Sequence, residues 1–407
     1  MSTGNIGQRI KDLRRARSMS QADLAAAMTR SESWVSQVER GVQPVERLSV
    51  LQALADALGV TVRELRPDTV TEPEPADNQP ESNDLDALRV ALTGHPALGS
   101  LFGEVAEDLP SSVDDFRADV EHVWDLAHAS SYAALSERLA VLLPRLEAAV
   151  RQPPADRRRE LHALRARAYQ VAAASFVRQD EPDAAWVAAD RALQAAELAD
   201  EPLEVVASLF RMAHAFMRQQ HIEQAEYAAS AAVSVLDPRS ESPTCPPEEL
   251  SLLGAMNLVL AVIHAREGNR KASHQHIERA RAIAARIGED RNDFDTEFGP
   301  TNVELHAVST AVDLGDAGLA LDEAEGVDAS GLSPERQSRF LLDVARAHAQ
   351  RRHVGEAVAA LIEAEELAPE QIRTHHLSRG IIRDLVQLSG ERVPEQLTQL
   401  AERCAVS

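Results

Sequence analysis

Two short amphipathic segments near the N-terminus leave this chain little choice of local fold. Ser20 to Met28 and Ser31 to Gly41 each open on a serine, whose hydroxyl can accept from the free N–H groups of a first helical turn. Only two residues separate the segments, so the helices they form can be joined by nothing longer than a sharp turn. Val35 and Val38 of the second segment point back toward a core, while Ser33, Ser36 and Gln37 ride the opposite face. Ile6, Ile10 and Leu13 make an apolar stripe ahead of the pair, and Leu48, Leu51, Leu54, Ala55 and Leu58 make another behind it. Thr61 and Glu64 then have the spacing of a capping box that starts a fifth helix.

From Asn5 to Arg66, about one sixth of the chain, this pattern resembles the Cro/C1-type repressor domain of the Xre family. Small polar side chains on a protruding helix suit a major groove. The resemblance implies that Gln21, at the start of the second helix, holds a phosphate of double-stranded DNA, and that Ser31, Glu32, Ser33, Ser36 and Gln37 face base edges. Gln37 is suited to pair with adenine N6 and N7, and Glu32 to accept from cytosine N4. Arg40 and Arg47 match positions that grip the phosphate backbone, and Arg14 matches a first-helix arginine that pairs with Glu39. Thr29 departs from the pattern, standing where a glycine often supplies a left-handed turn.

A net charge of −23 looks unsuited to DNA until it is divided along the chain. Residues 1–66 carry ten Lys or Arg against seven Asp or Glu, a net of +3, which leaves −26 for the rest. Such a body repels DNA away from the contact surface and leaves affinity to the basic head and to dimerisation. Residues 67–86 form an acidic, Pro-rich segment almost without apolar periodicity, read as a flexible linker between a 5–66 head and a helical body. The chain is long enough for more than one core, and only 3% of it is aromatic. Its apolar content is mostly Ala and Leu, the material of closely packed helices.

The body reads as helical throughout. Residues 87–152 hold a helical hairpin, with Trp124, Leu126, Tyr132, Leu135, Leu139, Leu142 and Leu146 at helical spacings between Val113 and Val150. From 153 to 407 a degenerate repeat recurs as a helix, a turn and a second helix built on small residues. Ala185, Ala189 and Ala192 mark one copy; Ala225, Ala229 and Ala232 a second; Ser273, Ile277 and Ala280 a third. Ala317, Leu321 and Ala324 mark a fourth, and Ala357, Leu361 and Ala364, closed by Pro369, a fifth. The fold class expected is therefore all-α: a five-helix Cro/C1-type DNA-binding domain joined by a linker to a tetratricopeptide-like α-solenoid. The first helices of the repeats would turn Arg178, His214, Arg218, Asn257, His264, Asn302, His306, Arg339 and Arg346 toward a concave groove, with Arg167, Gln170 and Gln350 beside them. A wall of Arg, His and Asn with few acids suits an anionic ligand or a peptide.

Other chemistry has little support. No glycine-rich phosphate loop, Gly-x-Ser-x-Gly elbow or His-Glu-x-x-His is present, so no catalytic residue, cofactor or enzymatic activity is expected. Cys245 and Cys404 lack metal or disulfide spacing, and His274 with His276, like His375 with His376, read as solvated surface residues rather than metal ligands. Phe298-Gly299-Pro300 breaks the helical pattern, with Thr301 or Asn302 expected to cap the helix that follows. Leu252 to Ile263, the longest apolar run, is too short to cross a bilayer, which points to a cytoplasmic protein without membrane contact. The whole resembles Gram-positive regulators, actinobacterial ones included, that join an Xre-type head to a tetratricopeptide-like body, among them peptide-sensing quorum regulators. That resemblance implies a homodimeric transcription factor on an inverted-repeat operator, whose body binds a peptide or small-molecule effector. The alternative is a DNA-tethered scaffold whose repeat domain recruits a protein partner.

Overall fold

Alanine sets how closely the helices of this chain approach one another. In a computed structural model the described residues are 6–17, 19–28, 32–39, 54–55, 57–58, 60, 85–93, 112–151, 157–390 and 392–406. They fall into two compact units, Met1–Asn78 and Gln79–Ser407. Among the described residues every regular element is a helix, and the one extended contact is an isolated bridge between Arg291 and Phe298.

The first unit contains α1 (Ile6–Ala16), α2 (Gln21–Ala27) and α3 (Glu32–Glu39). Ile10, Leu24, Val35, Val38, Leu54, Ala55 and Leu58 close one small core. Ser20 caps α2 as its sequence predicts: its hydroxyl accepts from the Asp23 N–H at 3.1 Å, while its own N–H donates to the Asp23 carboxylate at 2.8 Å. The capping box of Thr61 and Glu64, and Thr29 in the turn, lie outside the described residues.

The second unit opens with α4 (Leu85–Thr93), which begins two residues before the expected start of the body at 87 and packs Leu88 and Leu92 into the body's first core. Antiparallel pairs follow: α5 (Val113–His128) with α6 (Tyr132–Ala149), α7 (Arg158–Arg178) with α8 (Pro182–Ala199), α9 (Pro202–Arg218) with α10 (Ile222–Ser240), and α11 (Pro247–Arg266) with α12 (Arg270–Ile287). The series continues with α13 (Pro300–Asp313) and α14 (Ala317–Ala324), then α15 (Pro334–Gln350) and α16 (Val354–Leu367). It ends in α17 (Pro369–Thr374), α18 (His376–Ser389) and α19 (Glu395–Arg403). The alanine triads of α8 and α10 are buried, as are Ala357, Leu361 and Ala364 of α16 and Ser273, Ile277 and Ala280 of α12, and the short side chains among them let paired backbones close up. Proline opens α8, α9, α11, α13, α15 and α17, where its missing N–H costs nothing. Pro369 is therefore the first residue of a new helix as well as the end of the repeat before it.

Every pair in this series turns in the same way. Ser130, Asp180, Gln220, Gly268, Gly315 and Arg352 each sit at positive φ, and in each case the next residue's N–H reaches back to a carbonyl of the preceding helix. Ser131 donates to Leu126, Glu181 to Phe176, His221 to Phe216, Asn269 to His264, Asp316 to Ala311 and His353 to His348, all at 2.8–2.9 Å. This is a Schellman cap, which uses two orphan carbonyls to reverse the chain. It is the most regular mark of repetition in the molecule, and four of its six left-handed residues are not glycine.

Two features finish the body. Helix α11 is long and apolar enough to cross a membrane by length and composition, yet 83% of its apolar window is buried inside the fold. It is a core helix, and Gly254 on it lies where any Cβ would run into the ring of Phe298. The two ends of the helical series also meet. The hydroxyls of Ser130 and Tyr132 donate to Gln371 Oε1 at 3.1 and 3.2 Å, and the Ala133 N–H donates to Glu370 at 3.0 Å. The concave side is thus closed into a ring rather than left as an open trough.

Candidate functional site

Inside that ring the first helices of the pairs bring together the charged residues expected to line a groove. Arg178 at the end of α7 forms an ion pair with Glu335 at 2.7 Å, and Arg336 and Arg339 of α15 flank the same carboxylate at 3.8 Å. Burial pushes the Glu335 carboxyl upward, but Arg178, Arg339 and Arg336 together outweigh it and hold the group at about 2. Arg211 of α9, 7% exposed, lies over the rings of Trp124 and Phe210 at 4.8 and 5.0 Å. Burial brings its guanidinium down to about 10. His214 packs edge-on to Phe210, and burial among these arginines drives it well below the ordinary histidine value. Burial likewise brings His306 to about 3, so it is neutral, with Nδ1 against the Asn302 carbonyl oxygen at 2.8 Å.

The acids and acceptors that balance these cations come largely from one strained loop. Phe294, Asp295 and Glu297 all have φ between 49° and 55°, the left-handed region that residues with a Cβ avoid. In that shape the loop turns its carbonyl oxygens toward the arginines. Arg211 Nη2 donates to Phe294 O at 3.2 Å and to Asp295 O at 2.8 Å; Arg336 Nη2 donates to Thr296 O at 3.1 Å; and Asn302 Nδ2 donates to Glu297 O at 2.6 Å. The Glu297 carboxylate takes Arg336 Nε at 3.1 Å, and Asp295 takes Arg167 at 3.3 Å. The concave wall is therefore not poor in acids, as the first-helix register alone implies. Its arginines are answered by carboxylates from neighbouring elements.

The remaining expected groove residues are also engaged. Arg218 pairs with Asp180 and contacts His376, while Arg346 is held between Asp313 at 2.6 Å and Asp343 at 2.8 Å. Asn257 donates to the Leu253 carbonyl and accepts from His276, whose ring stacks on His264 at 5.4 Å. His276 is consequently half-buried and bonded rather than solvated, as is His375 in a buried setting that lowers its basicity. Gln170 donates to the Glu204 carboxylate, which burial raises to about 6, and Gln350 donates to the Val312 carbonyl. Neither Thr301 nor Asn302 caps α13: the Thr301 N–H donates to Asp290, and Asn302 donates back to Glu297. Arg211, Arg336 and Glu335 were missed by sequence reading, although Arg211 lies three residues before His214 on the same helical face.

Space decides what these sites can hold. The cavity between Arg178, Arg211, His214, Arg336 and Phe210 is only ≈ 20 Å³, room for about one water. A larger cleft of ≈ 470 Å³ opens where α12 and α14 both rest on α13. Ile277, Ala307, Ala311, Leu314 and Leu319 line it, and Lys271, Arg281 and Glu323 stand at its mouth. Helix α14 has only 8 residues, against 18 in α12, and that shortness leaves the cleft uncovered.

In the first unit, one buried ion pair ties the helices together. Arg14, on α1, donates through Nε to Glu39 Oε1 at 2.5 Å and through Nη2 to Oε2 at 3.0 Å, with both residues under a tenth exposed. Its third arm donates to the Met19 carbonyl at 2.6 Å in the turn before α2, and Gln21 Nε2 on α2 donates to Glu39 Oε2 at 2.7 Å. All three helices are thus fixed around one carboxylate. Gly7 permits the approach, since a Cβ there would strike the Val38 and Glu39 carbonyls at the end of α3.

Comparison with known families matches residues 5–68 to the one described as helix-turn-helix domain. The head is a helix-turn-helix domain of the Cro/C1 type. No curated protein is recognisably similar to the chain in sequence. Among solved structures, that of a PrgX mutant aligns over 98% of this chain and 99% of its own, at 11% identity and a TM-score of 0.23, a likeness too slight to bear on function. Within the helix-turn-helix domain, Glu32, Ser33, Ser36 and Gln37 lie on α3 and Gln21 opens α2. Ser31, Arg40 and Arg47 lie outside the described residues. The Gln21 amide has two N–H donors, so its bond to Glu39 leaves one for a phosphate.

Proposed function

We propose that the protein is a sequence-specific transcriptional regulator that binds an inverted-repeat operator as a homodimer, with its helical body sensing a peptide or small anionic effector. The observation that carries this reading is the helix-turn-helix domain itself, whose α2 and α3 are locked to α1 by Arg14 and Glu39. Gln21, with Arg40 and Arg47, holds the phosphates, and Ser31, Glu32, Ser33, Ser36 and Gln37 read the groove. A palindromic site then matches a two-fold dimer.

The effector part of the reading rests on convergence. Arg178 of α7 and His214 of α9 line one small cavity, and the arginines Arg178 and Arg339 act electrostatically on both His214 and His306, the latter on α13 with Asn302. A peptide cannot enter at the present volume, so binding one requires the ring to open at the Arg178–Glu335 and Tyr132–Gln371 contacts. The wider cleft beside α14 already has the volume of a small-molecule site. Either mode shifts the population of heads able to span two half-sites. The second reading, a scaffold for a protein partner, is favoured by the large apolar groups left exposed on α8 and α10: Trp186, Leu198, Tyr227 and Val235.

The deciding experiment is selection from a genomic DNA library at stated salt, comparing the intact protein with a Gln37→Ala, Arg40→Ala variant. An inverted repeat enriched by the first and lost by the second supports the reading. Equal enrichment by both, or none by an intact folded dimer in the presence of cell extract, overturns it.

A further inference from the structure

The small cavity of the chamber is lined by three cations, Arg178, Arg211 and Arg336, and by no carboxylate. Glu335 and Glu297 pair with Arg178 and Arg336 without lining that space, and His214, which does line it, is neutral. Donors are also left over. Arg211 Nε and Arg339 Nη1 are buried and bond to nothing, and Arg211 lines the small cavity together with Arg178 and Arg336. An unanswered buried guanidinium N–H is costly, and a cluster of like charges adds to that cost. Water can accept from such a donor but cannot offset the charge.

We infer that the cavity between Arg178, Arg211, His214 and Arg336 is a binding site for one small monovalent anion of halide size. The volume of ≈ 20 Å³ admits an occupant about as large as a water molecule and excludes phosphate or sulfate. Arg211 Nε supplies the donor that lacks an acceptor, and Arg178 and Arg336 supply the field. Phe210, Ala173, Ala174 and Val177 complete an apolar wall that suits a weakly hydrated ion. The bound charge joins α7, α9 and α15 inside the ring, so the ion acts as a structural pin. This inference stands on the chamber's own electrostatics and holds whether or not the head reads an operator.

The test uses the full chain in sodium gluconate, with chloride substituted at constant ionic strength. The body's unfolding temperature should rise by several degrees and saturate with chloride, and the ³⁵Cl resonance should broaden in the presence of protein. Formate, with three heavy atoms, exceeds the one-water space and should not displace chloride; its displacement of chloride would overturn the assignment of the site to a halide-sized ion. Arg211→Gln should abolish both the broadening and the shift. Should that variant not fold, bromide diffused into wild-type crystals supplies the answer, with an anomalous peak expected among the three arginines. A chloride response no larger than that of gluconate, or a chamber empty of bromide, overturns the inference.

Discussion

Replacing Glu39 by alanine should unfold the head while leaving the body intact. The substitution strands Arg14 with its guanidinium buried, and removes the acceptor shared by Gln21. Breaking a buried ion pair from one side costs about 3–5 kcal/mol. A domain as small as this one rarely draws more than about 3–5 kcal/mol from a single core, so the loss matches its whole stability. At about 4–8 °C per kcal/mol for a unit this size, the head's transition should drop by about 12–40 °C. Calorimetry on the full chain would follow the head and body transitions separately, and fluorescence anisotropy would follow operator binding, which should vanish at 37 °C. The paired replacement Arg14→Met with Glu39→Leu fills the same space without charge and should recover most of the stability, because the penalty lies in the stranded charge rather than in the lost attraction. A Glu39→Ala protein with an unshifted head transition would refute the reasoning. So would a double variant no more stable than the single one.

Other substitutions probe the body. His306 is neutral when folded, near 3 against an ordinary 6.5, so the unfolded chain takes up the proton first as pH falls. Its contribution is therefore intact above pH 6.5 and declines by about 1.4 kcal/mol per pH unit below it; His306→Asn should flatten the urea midpoint between pH 6.5 and 5 relative to wild type. Gln220→Gly relieves a left-handed residue at an exposed Schellman turn and should raise stability by up to ~1 kcal/mol, measured by urea unfolding. Gly254→Ala drives a methyl group into the Phe298 ring and should cost about 1–3 kcal/mol, with partial rescue by Phe298→Leu.

What could be read in advance follows from the range of each interaction. The buried triads of α8, α10 and α16 were legible because helix packing repeats along one face, and the serine cap of α2 because it involves residues only three apart. Arg14 with Glu39 followed from a family pattern, since 25 residues separate the partners and no local rule joins them. The common turn of the pairs was hidden, because Ser130, Asp180, Gln220 and Arg352 occupy a conformation that sequence reading reserves for glycine. The chamber was half legible. Helical register pointed to Arg178, His214, Asn302 and Arg339, but not to Glu335, the carboxylate beside Arg178 and Arg339, and the carbonyl partners of Asn302, Arg211 and Arg336 belong to residues 294–297, whose backbone follows no periodic rule. The cleft beside α14 left no trace except the shortness of the segment between Gly315 and Gly326.

The contact that closes the ring also sets an order of events during synthesis. Tyr132 is almost wholly buried in the finished protein, and its hydroxyl is answered by Gln371, 239 residues further along. At translation rates of about 5–20 residues per second, roughly 12–48 s pass between the appearance of the two partners. Through that interval the first hairpin of the body stands at the ribosome with its aromatic edge uncovered, while residues 5–68, which hold the head, have already been released to fold. A nascent regulator of this design can therefore possess a finished head well before it possesses a closed body.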